Sequence, residues 1–101
     1  MSSEKELEKE IQDKGLNAPR LTPQLIYSVI FDTNYYVFPK TQLTVCCLTL
    51  RNGFTVTGES ACVSPENFNK EIGEKVAFEN ARNKIWALEG YLLKQKLSEV
   101  K

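Results

Sequence analysis

Asn52-Gly53 constrains the fold of this chain more than any other pair of residues. It lies between two runs rich in β-branched and apolar residues, "LTVCCLTL" at 43–50 and "FTVTGESACV" at 54–63. An Asn-Gly dipeptide in that setting is the strongest short-range signal for a β-hairpin. A two-residue turn predicts the pairs Arg51–Phe54, Thr49–Val56 and Cys47–Gly58. One face then carries Val45, Cys47, Thr49 and Val56; the other carries Cys46, Leu48, Leu50, Thr55 and Thr57. Both faces are partly apolar, so something is expected to pack on each side. Gly58 inside a strand predicts a bulge or the close approach of another backbone. Glu59 and Ser60 stay polar where the strand should still be paired, which suits a bulged edge or the rim of a ligand site.

Helices are expected on either side of the hairpin. Residues 1–15 hold a charged one, with Ser3 and Glu6 spaced as a capping box, Leu7 and Ile11 as a thin apolar stripe, and Gly15 as a stop. "LTPQLIYSVI" starts a second over 22–31: Thr22 caps it, Pro23 takes the first helical position, and Leu21 and Ile26 have the spacing of a hydrophobic staple. "YYVF" is a short strand closed by Pro39, which opens a sheet over 35–63. After a Ser64-Pro65 start, a long helix runs over 65–97. Gly73, Ala77, Ala81, Ile85, Leu88 and Leu92 recur on it at three- and four-residue steps, small first and large later. Gly90 interrupts the pattern and offers a bend. The order is helix, helix, strand, hairpin, long helix. This is α+β: a small antiparallel sheet built on the Asn-Gly hairpin, packed by N-terminal helices and one long C-terminal helix. A length of 101 residues suits a single domain, 1–101, with a modest core that oligomerisation would help.

Composition then narrows the function. Thirteen basic and thirteen acidic residues leave no net charge, against a general nucleic-acid-coating role. No apolar run suits a membrane span and no signal peptide is expected, so a cytoplasmic protein is. Histidine is absent, which removes the commonest general base and metal ligand. Catalysis is therefore not expected. Cys46 and Cys47 are neighbours on a strand and point to opposite faces, so they cannot chelate one ion together. With Cys62 they read as buried small hydrophobes. No metal and no cofactor is expected. Arg20, in "NAPRLTP", stands before a helix N-terminus as a candidate anion contact. Arg82, Lys84 and Lys94 add cations on the long helix. Phe68, Phe78, Trp86 and Tyr91 offer rings for a base, though most of them fit the core. Motif chemistry leads to an α+β binding module.

The second half of the chain, with "NGFTVTGESACV" and "IWALEGYLL", and the lead "KGLNAPRLTP" resemble a family of short tailed-phage and prophage proteins. The resemblance runs from about Lys14 to Leu97. One departure is Ala87, where the family carries a proline, which implies a straighter helix here. Some proteins of this type resemble Thoeris anti-defence sponges, small α+β oligomers that trap the cyclic ADP-ribose signal of bacterial TIR enzymes, and in some cases cyclic oligonucleotides, without cleaving them. The resemblance implies a cytoplasmic role in an infected bacterial host cell. It implies a homo-oligomer, from a dimer up to a hexamer, that holds a cyclic nucleotide signalling molecule and neither nucleic acid nor membrane. Arg20 and Lys94 match the family's phrases; Glu59, Phe68, Arg82 and Tyr91 complete the candidate ligand-binding set. The alternatives are a protein-binding inhibitor, an accessory or structural phage protein, and a weak enzyme acting through Glu59 or a cysteine thiolate.

Overall fold

The computed structural model describes residues 2–13 and 19–100. The fold is α+β, as the sequence predicts: helix α1 (Ser2–Asp13), helix α2 (Pro23–Ser28), strands β1 (Ile30–Val37), β2 (Leu43–Leu50) and β3 (Thr55–Ala61), a 3₁₀ turn at Pro65–Asn67, and helix α3 (Lys70–Glu99). The sheet is antiparallel in the order β1-β2-β3, so β1 and β3 are its edges. The side chain of Ser3 and the expected stop at Gly15 lie outside the described residues.

The hairpin forms, but one residue away from the predicted register. Leu48 faces Val56 and Cys46 faces Gly58. Leu50 N–H donates to Phe54 C=O at 2.7 Å and Gly53 N–H to Leu50 C=O at 2.9 Å, so the loop is Arg51-Asn52-Gly53. Gly53 alone in this turn has a left-handed φ, at 90°. That combination is a three-residue loop in which a turn ends on a bulged glycine. Arg51 fixes it from outside: its N–H donates to Val29 C=O at 3.0 Å and its Nε to Ser28 C=O at 2.5 Å. Because side chains alternate, a one-residue slip moves all of β3 to the other face. Val56 and Gly58 thereby join Thr44, Cys46, Leu48 and Leu50 on the buried side. The opposite face, with Val45, Cys47 and Thr49, remains half-exposed. The expected second packing layer is not seen among the described residues.

Two boundaries also move. Helix α2 is capped as predicted, with Thr22 Oγ1 accepting from Leu25 N–H at 3.2 Å, but it ends at Ser28 rather than near Phe31. Ile30 pairs with Leu50, so the β-branched and aromatic run "IF" is drawn into the sheet and β1 begins five residues before the "YYVF" segment. At the far end Ser64 makes no side-chain cap. The Pro65–Asn67 turn is separate, and Asn69 caps α3 through its Oδ1 and Ile72 N–H at 3.0 Å. Helix α3 then runs unbroken through Gly90.

Gly73, Ala77 and Ala81 are buried, as is Ile85 one turn on. They form the small stripe foreseen in the sequence, and it lets the helix lie directly on the sheet. A Cβ placed on Gly58 would come within 2.2 Å of Ala81 N and 2.4 Å of Ala77 O. Gly58 is therefore the close backbone approach, and the helix is the backbone that approaches. Ile26, Cys46, Leu48, Leu50 and Val56 complete the core. A 30-residue helix is about 45 Å long, whereas an eight-residue strand spans about 26 Å. The C-terminal part of α3 therefore overhangs the sheet, and the radius of gyration is 16.6 Å where a compact chain of this length has about 13 Å.

Candidate functional site

Because the small stripe seats α3 over β2 and β3, the front of β1 is left uncovered. A cleft of about 290 Å³ opens there, lined by Tyr27 of α2, Tyr35 of β1, and Lys75, Phe78 and Glu79 of α3. Each side chain has a traceable origin. Tyr35 faces Cys46 across the strand pair and so points to the helix side of the sheet. Lys75, Phe78 and Glu79 recur at three- and four-residue spacing, which puts them on one flank of α3. Tyr27 and Phe78 stack with centroids 6.2 Å apart and planes 17° apart. Behind them lies Arg82, 1 % exposed, with its guanidinium carbon 5.3 Å from the Tyr27 ring centroid. The cation holds the Tyr27 ring by its face, an interaction worth about 2 kcal/mol when desolvated.

The electrostatics keep two groups of this region in their protonated forms. Burial, then the neighbouring Cys46 and Glu74, push the Tyr35 phenol up, so it stays protonated and serves as a hydrogen-bond donor. Burial, then Cys47 and Glu74, push the Cys46 thiol up to about 11. The reactive species of a cysteine is its thiolate, and Cys46 carries almost none near neutral pH. The cleft thus offers two phenols, a stacked ring pair, an amine and a carboxylate, with the Arg82 guanidinium buried against the Tyr27 ring. It can stack a planar ring, donate hydrogen bonds and attract an anion. Among the described residues no three His, Cys, Asp or Glu side chains gather where an ion could sit.

A labelling experiment checks the state of the thiols. Cys46 is fully buried, and Cys47 and Cys62 are half-exposed. At pH 8 about one Cys46 in a thousand is thiolate, from three units between 11 and 8. Native protein is expected to take two equivalents of iodoacetamide within minutes and the third only in denaturant. Three rapid equivalents in the native state would contradict the burial.

The residues singled out from sequence are scattered around the molecule. Arg20 stands between α1 and α2, where its Nη1 and Nη2 donate to the Glu8 carboxylate at 2.7 and 2.6 Å. That bidentate pair pins α1 across a groove of about 400 Å³ whose walls include Leu7, Ile11, Pro23 and Trp86. Arg20 also borders a second groove with Leu92, Leu93 and Lys96. Glu59 is exposed on β3, and its carbonyl accepts from Asn80 Nδ2 at 2.9 Å. Phe68 is half-buried ahead of α3, near Gly73. Tyr91 is 77 % exposed and, like Lys94, stands on the overhanging part of α3. Of the six, Arg82 alone backs the cleft. Sequence reasoning placed Phe78 among the rings and passed over Tyr27, Tyr35, Lys75 and Glu79. The signal available for them was the 75-78-79-82 spacing on one helix flank.

Fold and cleft together define a small α+β domain with an aromatic, cation-backed groove beside an open sheet edge. The chain belongs to the Phage protein (N4 Gp49/phage Sf6 gene 66) family, whose model matches residues 21–97. No curated protein and no solved structure matches it. No described helix is long and apolar enough to cross a membrane.

Proposed function

We propose that this phage protein is a counter-defence sponge that binds a cyclic nucleotide immune messenger, of cyclic ADP-ribose type or a cyclic oligonucleotide, and withholds it from its effector without cleaving it. One observation carries the proposal: the cleft in which Tyr27, Phe78, Tyr35 and Lys75 stand side by side, with the buried Arg82 against the Tyr27 ring. An adenine ring stacks on exposed aromatic faces, and base–aromatic stacking contributes about 1–3 kcal/mol per base. The phosphates seek the cationic side, where Lys75 provides the accessible charge. Glu79 suits the ribose hydroxyls as an acceptor. Family membership supports the phage setting. Sequestration then follows from mass action, since tight binding keeps free messenger below the effector's threshold.

Isothermal titration of the purified protein with cyclic ADP-ribose isomers and with cyclic di- and trinucleotides tests this. At least one compound is expected to bind, and heating the complex should release it intact. Tyr27→Ala is expected to weaken binding about tenfold or more, the equivalent of one stacked base. Tyr27→Phe keeps the ring and should retain most of the affinity. If no nucleotide binds, the protein-binding inhibitor takes the place of the sponge. Chemically altered nucleotide after release would make the protein an enzyme.

A further inference from the structure

Both edges of the sheet keep outward backbone groups open, and each carries a partial guard. On β3 the carbonyl of Glu59 is taken by the Asn80 side chain from the overlying helix. Strand β1 has a partial guard of another kind. Phe38 N–H donates to Leu43 C=O at 3.1 Å, which continues the β1–β2 ladder. Antiparallel pairing alternates, so the even-numbered residues of β1 bond inward to β2, and the backbone groups of Thr33, Tyr35 and Val37 face outward. Thr33 N–H is capped locally by Asp32 Oδ1 at 2.9 Å. Among the described residues, nothing bonds the outward N–H and C=O of Tyr35 and Val37. No proline or lysine lies within the strand to deter pairing, and Phe31, Tyr36 and Phe38 stand exposed along it.

These open groups are self-complementary. A twofold axis at Tyr36 sets Tyr35 of one copy against Val37 of the next and Val37 against Tyr35, which matches four donors and acceptors. The two Tyr36 rings then oppose each other as a non-hydrogen-bonded pair, the closest side-chain spacing an antiparallel sheet offers. Each already packs edge-on with its own Phe38, centroids 4.8 Å apart. The pairing stops where the strand is irregular, at the Asp32 cap and at the register shift between Ile30 and Asp32. Pro39, which has no N–H, closes the other end.

From this we infer that two copies of the chain join edge to edge through β1, making one six-stranded antiparallel sheet with its twofold axis at Tyr36. The partner is a second copy because the open set matches itself, and closed twofold dimers are the commonest assembly of soluble chains. Tyr35 lines the cleft, so the seam brings Val37 of the second copy beside it and makes two neighbouring clefts share a border. That last consequence rests on the messenger reading; the interface itself does not.

Sedimentation of ligand-free protein at micromolar concentration tests it independently of any nucleotide. Val37→Pro removes an outward donor and leaves the β2 ladder alone, the position in which an edge strand accepts proline. Tyr36→Lys and Tyr36→Glu each set like charges against one another at the axis. The wild type is expected to have twice the mass of each variant, with the monomer at 11.5 kDa. Mixing Tyr36→Lys with Tyr36→Glu is expected to restore the full mass. Circular dichroism and protection of Cys46 from alkylation establish that each variant folds. A wild type of monomeric mass overturns the inference, as do Tyr36 variants that keep the wild-type mass or a mixture that fails to reassemble.

Discussion

Adding one methyl group at Gly58 is expected to lower stability by about 3 kcal/mol, at the upper end of what overpacking costs. The new Cβ would meet Ala81 N at 2.2 Å and Ala77 O at 2.4 Å. Both are backbone atoms of α3, so no rotamer change relieves the clash. The helix must lift by about 1 Å, and the layer of Ala77 and Ala81 against Leu48 and Val56 opens with it, at a cost that rises with the void left behind. The Asn80–Glu59 bond at 2.9 Å goes too. For a domain of this size the loss corresponds to about 15 °C in Tm. Gly90→Ala is the contrasting case. It meets only Leu21 Cδ1, at an ordinary 3.7 Å, and replaces glycine inside a helix. It is expected to stabilise by up to about 1 kcal/mol. Thermal unfolding of the two variants beside the wild type decides the matter. Equal melting temperatures would mean that α3 does not rest on β3 through Gly58.

How much of this was legible depends on how local each signal is. The Thr22-Pro23 cap, the small stripe on α3 and the existence of the hairpin are written in short segments, and each appears as expected. The loop length is not local in that sense. Asn-Gly serves a two-residue turn with both residues left-handed, and equally a three-residue turn with only the glycine left-handed. The choice fell to the second because Arg51 is held by the carbonyls of Ser28 and Val29, a contact about twenty residues away in sequence. The end of α2 was ambiguous for a similar reason. Leu25, Ile26, Val29 and Ile30 fit a helical face, yet Val29 and Ile30 are also good strand residues, and pairing with Leu50 settled it. The cleft was least legible. It exists because one helix covers two strands of three, which is a property of the packing. Arg20 shows the converse: it looked like a waiting anion contact, but the acceptor it holds is Glu8 of its own chain.

Arg82 tests whether the cleft and the core can be separated. Its side chain is 1 % exposed, against a Tyr27 that is half open to solvent. Arg82→Ala is expected to destabilise by about 3 kcal/mol, because it removes the stem that fills the space between α2 and α3 together with the cation beneath the Tyr27 ring. Arg82→Met keeps most of the volume and loses only the charge and its contacts, so it is expected to destabilise less than Arg82→Ala. The two variants differ in packing and share the loss of charge. If the guanidinium serves the cleft, both should lose affinity for the messenger by about tenfold, the loss of one charge-assisted contact or of a well-held ring, although they differ in melting temperature. If it serves the core alone, Arg82→Met binds as the wild type does, and the positive side of the cleft reduces to Lys75.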